Sequence, residues 1–432
     1  MRDWIKKEWK RIRHNSLARN AGWMLAGQGS NLFLQAAYFV LLSRLLGNVE
    51  YGIFVGAFAL TSFVATYTAM GSGTLFLRYV SSTHGKFAVY WGNILFSTGV
   101  VSAILITAAS FAAPHLLNPA SASLVVITAI GNCLFGETTR NAAAVFQAFE
   151  KMKVTATLNL ATSLARLFAV AGMFEVLHHA TAFQWAIASL IVSAMAATAA
   201  IVVVTVSYGW PTFSASLMVK TTTEGFGYSF ASSTASVYND IDKTMLSHYG
   251  MNAANGIYAL AYRVIDIGSI PVFAVRDAAT PRLFRLGSSN ATEVKDLAFR
   301  LMSRALLVSL LISITLYFAA PLLPLLAGQS FAESQIALRW LCLIPILRSV
   351  HQMAGSAIMG MGKQSYRTAT QITVAIVNFL LNLWFIPTYG WRGAAWTSLL
   401  ADSLLGALNV LVLLWLCRSQ YLNRALRESS SV

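Results

Sequence analysis

The chain has 432 residues, 56% of them hydrophobic and only 11% charged, with a formal net charge of +15. That balance lies far outside the composition of a soluble globular domain and excludes one. Apolar runs such as 100–113 and 187–206 lack the alternation of barrel strands. Helices are therefore expected, being the other structure that satisfies every backbone group inside a bilayer.

In chain order, the first element is a basic segment over 1–20. Its Trp4, Ile5, Trp9 and Ile12 fall near one helical face among lysines and arginines, which suits an interfacial anchor. No small-residue cleavage region follows a short apolar core, so it does not read as a signal peptide. A bilayer core about 30 Å thick takes about 20 apolar residues per helix. Twelve spans of that order follow, over 21–46, 52–73, 87–113, 121–149, 154–177, 182–207, 225–249, 253–279, 299–326, 333–359, 366–389 and 393–417.

The longer connections are 208–224, with Pro211 and Thr221 to Thr223, and 282–300, with a Gly287-Ser288-Ser289-Asn290 stretch. The first reads as a linker between an N-terminal six-helix bundle, 21–207, and a C-terminal one, 225–417, with a tail over 418–432. Alternate connections and their helix-end flanks hold most of the lysines and arginines, while Arg392 stands on the opposite side. The positive-inside rule then puts both termini in the cytoplasm. A basic skirt along anionic lipid accounts for the net charge without nucleic acid. The Asn290 sequon faces the cytoplasm and is accidental on this topology.

Charges inside the spans carry the functional signal. Arg140, Arg166, Arg263 and Arg348 lie near span centres, with Arg44 and Lys243 closer to the outer side. At roughly 2.5–3.5 kcal/mol each near the bilayer centre, four central arginines cost on the order of 10 kcal/mol unless offset. Glu137/Arg140, Asp240/Lys243 and Arg263/Asp266 are spaced three apart and can pair along one helix face. Arg166 and Arg348 have no such neighbour. They call for an interhelical partner, water or an anionic ligand in a cavity.

Uncharged polar residues suggest where that cavity lies. The first span carries Gln28, Asn31 and Gln35, and the seventh carries Tyr228, Ser229, Ser232, Ser233, Thr234, Ser236, Tyr238 and Asn239. Beside them, Asp240, Asp242 and Asp266 are candidates for coupling to H+ or Na+. Spacing gives Asp240 to Lys243, which leaves Asp242 as the group free to exchange a cation. Gly268 to Pro271 and Pro345 are expected to break the eighth and tenth spans.

Cys133, Cys342 and Cys417 read as small packing residues. No phosphate-binding loop, metalloprotease signature, metal site or cofactor motif is present in the sequence, and no soluble catalytic domain fits between the spans. An internal repeat is visible at a shift of 204 residues. It sets Leu42-Ser43 on Leu246-Ser247, Asn48 on Asn252, Gly52-Ile53 on Gly256-Ile257, Ala57 on Ala261 and Arg78 on Arg282. An offset of six spans predicts two parallel halves related by an axis along the membrane normal.

The segment Leu41 to Phe54 and its echo, Asp240 to Leu246 with Asn255 to Tyr258, resemble the polysaccharide transporter branch of the multidrug/oligosaccharidyl-lipid/polysaccharide flippase superfamily, its O-antigen flippases above all. The resemblance covers about residues 15–418. It implies an all-α, V-shaped, MATE-like transporter that passes an undecaprenyl-pyrophosphate-linked oligosaccharide across a bacterial inner membrane. It also implies a cationic cavity, H+ or Na+ coupling, membrane lipid and polysaccharide polymerase and chain-length proteins as partners, and no enzymatic step. Arg44, Asp242 and Lys243 sit in the matching segments. Arg140, Arg166, Arg263 and Arg348 come from placement alone. A cationic-drug antiporter of the same superfamily, with an acidic cavity, and a non-transport protein of glycan assembly are the alternatives. The two extra spans expected of lipid II flippases are missing.

Overall fold

The computed structural model describes residues 16–80, 87–287 and 291–429. The 4–12 amphipathic face and Asn290 lie outside them. Helices follow one another as α1 (Ser16–Thr68), α2 (Ser72–Val80), α3 (Phe87–Leu116), α4 (Pro119–Ala122), α5 (Val125–Ala129), a π segment (Ile130–Gly136), α6 (Glu137–Ala148), α7 (Met152–Leu177), α8 (Ala182–Tyr208) and α9 (Ala215–His248). They continue as α10 (Asn252–Gly268), α11 (Ile270–Gly287), α12 (Ala291–Ala319), α13 (Leu322–Ala327), α14 (Ser334–Leu341), α15 (Ile344–Gly360), α16 (Gln364–Tyr389) and α17 (Trp391–Ser429).

Among the described residues, eight helices are long and apolar enough to cross a bilayer, and the bent pair α10–α11 makes a ninth. Three departures from plain apolar helices account for the rest of the twelve passes. First, α1 is two helices joined at Gly47, whose φ of 69° falls in the left-handed region that glycine enters without penalty. Second, the fourth pass is assembled from α4, α5, the π segment and α6. Third, α9 is polar, as its serines and threonines require.

One sequence expectation needs correction. The 208–224 linker is helical from Ala215 onward, because Thr221 and Thr223 turn their hydroxyls back to the carbonyls of Leu217 and Val219 instead of opening a loop. The tenth pass breaks next to Pro345, as its sequence predicts. It stops at Leu341 and restarts at Ile344, with Pro345 in the new first turn, where its missing N–H costs nothing. The break at Ser269 lies where the sequence placed it, and the two pieces meet at 42°.

The chain forms two compact units, residues up to Ser236 and from Val237 onward, which divide within α9. In the first, Phe76, Phe87, Trp91, Phe146 and Val204 close one core. In the second, Leu283, Val294, Leu297, Ile358 and Leu413 do the same. One local contact recurs: the Ser121 hydroxyl donates to the Ile53 carbonyl at 3.0 Å in the first unit, and Ser334 donates to the Ile257 carbonyl at 3.1 Å in the second, the acceptors but not the donors being 204 residues apart. All three cysteines are buried and free.

Candidate functional site

The first unit encloses a cavity of about 650 Å³, well within the range of ligand pockets. Its walls come from the second half of α1 (Ser62, Thr66), the π segment (Asn132), α6 (Glu137, Arg140, Asn141, Gln147), α7 (Asn159, Thr162, Arg166), α8 (Ser193) and α9 (Ser229). On α6 the polar residues at 137, 140, 141 and 147 recur at helical spacing, so one turn-by-turn stripe faces the opening.

Two guanidinium groups reach this cavity against one carboxylate. Arg140 Nη1 lies 2.7 Å from Glu137, whose side chain is buried, while the arginine itself is 65% exposed. Its fork is thus anchored on one side and open on the other. The Nε of Arg166 is buried without any hydrogen-bond partner. A buried donor left unmade costs about 1–3 kcal/mol, more when charged. Both guanidinium groups face the same cavity, and arginine's planar fork matches phosphate oxygens. The surrounding Asn, Gln, Thr and Ser side chains supply neutral donors and acceptors.

The second unit holds a different arrangement, a chain of buried charge among α9, α10, α15 and α17. Lys243 Nζ donates to Asp240 Oδ1 at 2.6 Å and to the Asn239 carbonyl at 2.8 Å. Asp242, almost fully buried, accepts from Tyr258 and from Ser398. Arg348, also buried, donates to Asp266 at 2.8 Å, to Ser269 and to Tyr262. The Tyr262 ring lies between the two cations, 4.6 Å from Lys243 Nζ and 5.4 Å from Arg348 Cζ. Tyr238 donates to Asp402, and His351 Nε2 lies 3.2 Å from the same carboxylate.

The site residues picked from sequence divide between these places. Arg140 and Arg166 share the cavity. Lys243, Asn239, Asp240, Asp242, Asp266 and Arg348 belong to the network. The i,i+3 pairs Glu137/Arg140 and Asp240/Lys243 form. Asp266, by contrast, bonds Arg348 across helices where the sequence offered Arg263; Arg263 is half-buried on α10. Arg44 and Gln28 are exposed, and Asn31 and Gln35 half-buried; none of the four lines the cavity. Asn31 instead accepts from Ser163 of α7, one residue from cavity-lining Thr162.

Sequence reading passed over Asn132, Asn141, Gln147, Asn159 and Thr162 in the cavity. It also passed over Tyr258, Tyr262, His351 and Ser398 in the network. The α6 stripe carried a usable periodic signal; the network residues did not, because their partners come from helices far apart in sequence.

A family model described as "Polysaccharide biosynthesis protein" matches residues 17–287. No curated protein sequence matches the chain. Among solved structures, an inward-facing multidrug resistance MATE family transporter of the MOP superfamily superposes with a TM-score of 0.76 at 13% identity, covering 90% of this chain and 95% of its own. The lipid II flippase MurJ in an inward closed conformation gives 0.69 at 15% identity, covering 92% and 87%. A MOP superfamily transporter from Pyrococcus furiosus gives 0.63 at 14%, covering 94% and 96%. At these identities the likeness is one of fold: all-helical, multi-pass and MATE-like.

Proposed function

The chain belongs to the polysaccharide biosynthesis protein family, and from that premise we propose that it flips an undecaprenyl-pyrophosphate-linked oligosaccharide from the cytoplasmic to the outer leaflet of a bacterial inner membrane. The observation that carries this reading is the cavity holding Arg140 and the unpartnered Arg166 Nε among neutral amides and hydroxyls. A diphosphate asks for guanidinium forks, and sugars ask for amides and hydroxyls. The polyprenyl tail stays in lipid, so the protein has only to lower the cost of desolvating the head group. Alternating exposure then follows from rocking of one six-helix half against the other. No covalent step and no cofactor are needed, and both termini stay in the cytoplasm.

For coupling, we assign the exchangeable H+ or Na+ to Asp242. Asp240 is committed to Lys243 and Asp266 to Arg348, whereas Asp242 holds only hydroxyl and backbone donors. Polysaccharide polymerase and chain-length proteins are the partners such a flippase would feed.

The test is reconstitution of the purified protein in proteoliposomes with a lipid-linked oligosaccharide labelled on its sugar, with and without pH and Na+ gradients. Flipping should require Arg166, and the Asp242→Asn variant should lose the response to the gradient. Efflux of a cationic dye at full rate in both Arg166→Gln and wild type, without glycan flipping, would establish the drug antiporter instead. That alternative wants an acidic cavity, and this one holds two arginines against Glu137.

A further inference from the structure

Outside both places described so far, the second unit holds an arginine with almost nothing to bind. Arg367, in the first turn of α16, makes one side-chain hydrogen bond, from Nη1 to the thioether of Met359 at 2.8 Å. Sulfur of that kind is a weak, uncharged acceptor. The charge acting on Arg367 from nearby is a like one, that of Arg276 on α11. Arg276 is fixed in turn, by Asp277 at 2.8 Å and by Gln352 Oε1 at 3.0 Å. Asp277 is the exposed member of that pair, at 66% against 27% for the arginine.

Both arginines contact one face of α15. Gln352, Gly355 and Met359 recur there at helical spacing. Arg276 holds the first of them and Arg367 the last. Gly355 lies between: a Cβ on it would meet Arg367 Nε at 3.0 Å and Cδ at 3.4 Å, so the missing side chain is what lets the guanidinium lie across the helix. Behind it, Asn409 ties α17 to the His351 carbonyl and accepts from Thr370, which keeps this corner rigid. Arg367 stands three residues past the start of α16, about 5 Å along its axis at 1.5 Å per residue, near one end of that apolar span and far from its centre.

Of these two like charges against one helix face, Arg276 is held by Asp277 and Arg367 is bonded only to sulfur, which leaves the second guanidinium open to an anion. We propose that Arg367 and Arg276 form a second anion site, in the second unit, that takes a phosphate or diphosphate group. The same chemistry is offered by an anionic lipid headgroup in the adjoining leaflet and by a free phosphate. The site does not rest on the flippase reading, since it would bind either ligand whatever the cavity of the first unit carries.

The experiment uses the full-length protein, purified and delipidated in detergent. Its thermal unfolding midpoint is followed while inorganic pyrophosphate, short-chain phosphatidylglycerol or, as control, short-chain phosphatidylcholine is titrated in. Wild type and Arg166→Gln, whose cavity is in the other unit, should both be stabilised by an anion and not by phosphatidylcholine. Arg367→Gln should weaken that binding at least tenfold. A response to pyrophosphate alone identifies a soluble phosphate, and one to phosphatidylglycerol alone identifies a lipid headgroup. Without any anion, Arg367→Gln should unfold no earlier than wild type, because it removes a repulsion; a purely structural arginine would give a clear loss. Should Arg367→Gln not fold, Gly355→Ala, which displaces the guanidinium, must weaken anion binding in its place. Equal anion responses in wild type and the variant tested would overturn the proposal.

Discussion

Arg348 on α15 donates to Asp266 on α10 at 2.8 Å, although 82 residues separate them in the chain. Each would be a costly charge alone, and each has the other as its offset. Breaking a buried pair by removing one partner typically costs about 3–5 kcal/mol, and because Asp266 is 40% exposed the lower end applies here. Arg348→Met should therefore destabilise the protein by about 3 kcal/mol in thermal unfolding. Adding Asp266→Leu should recover most of that loss. A double variant no more stable than the single one would mean the arginine acts through Tyr262 and Ser269 instead.

Two glycines of α9 should respond in opposite ways to the same change. A Cβ on Gly225 would meet the Met70 carbonyl oxygen at 1.8 Å, whereas one on Gly227 meets nothing within 4 Å. Gly225→Ala should cost about 1–3 kcal/mol through overpacking against backbone that has nowhere to go. Gly227→Ala should be neutral or gain up to about 1 kcal/mol, since alanine loses less backbone entropy in a helix. Paired midpoints in detergent decide it.

At Gly47 the constraint is conformational rather than steric. With φ at 69° and ψ at 174°, Gly47→Ala would hold an L-residue in a region essentially reserved for glycine, at a cost of about 1–3 kcal/mol. Gly29→Ala, on the same element with open space around it, serves as the control and should be tolerated. Equal stability of the two variants would place the bend elsewhere.

Arg140 and Arg166 should fail differently. Replacing Arg166 by Lys keeps the charge but loses the fork, so affinity for a polyprenyl diphosphate should fall about tenfold with little change in stability. Arg140→Gln strands the buried Glu137 and should also lower stability, by about 1–3 kcal/mol. Binding and unfolding measured on the same preparations separate the two effects.

Sidedness can be read with cysteines placed in a background where Cys133, Cys342 and Cys417 are alanine. Arg392→Cys should react with a membrane-impermeant maleimide in intact cells, and Arg285→Cys only after the membrane is opened. The reverse pattern would invert the topology.

The sequence by itself determined the number of passes and where the eighth and tenth of them break. These depend on local quantities: apolar length, the missing N–H of Pro345 and the backbone freedom of Gly47. It also placed Glu137 with Arg140 and Asp240 with Lys243, since three-residue spacing on a helix is itself a contact. Only the tertiary structure decided which carboxylate neutralises Arg348, that Tyr262 stands between Lys243 and Arg348, and that Arg166 is left with a donor unmade. Such relationships join helices tens to hundreds of residues apart. Whether a charge inside a bilayer is offset or left open to a ligand depends on which neighbour packing brings within about 3 Å, and no spacing along one helix encodes that distance.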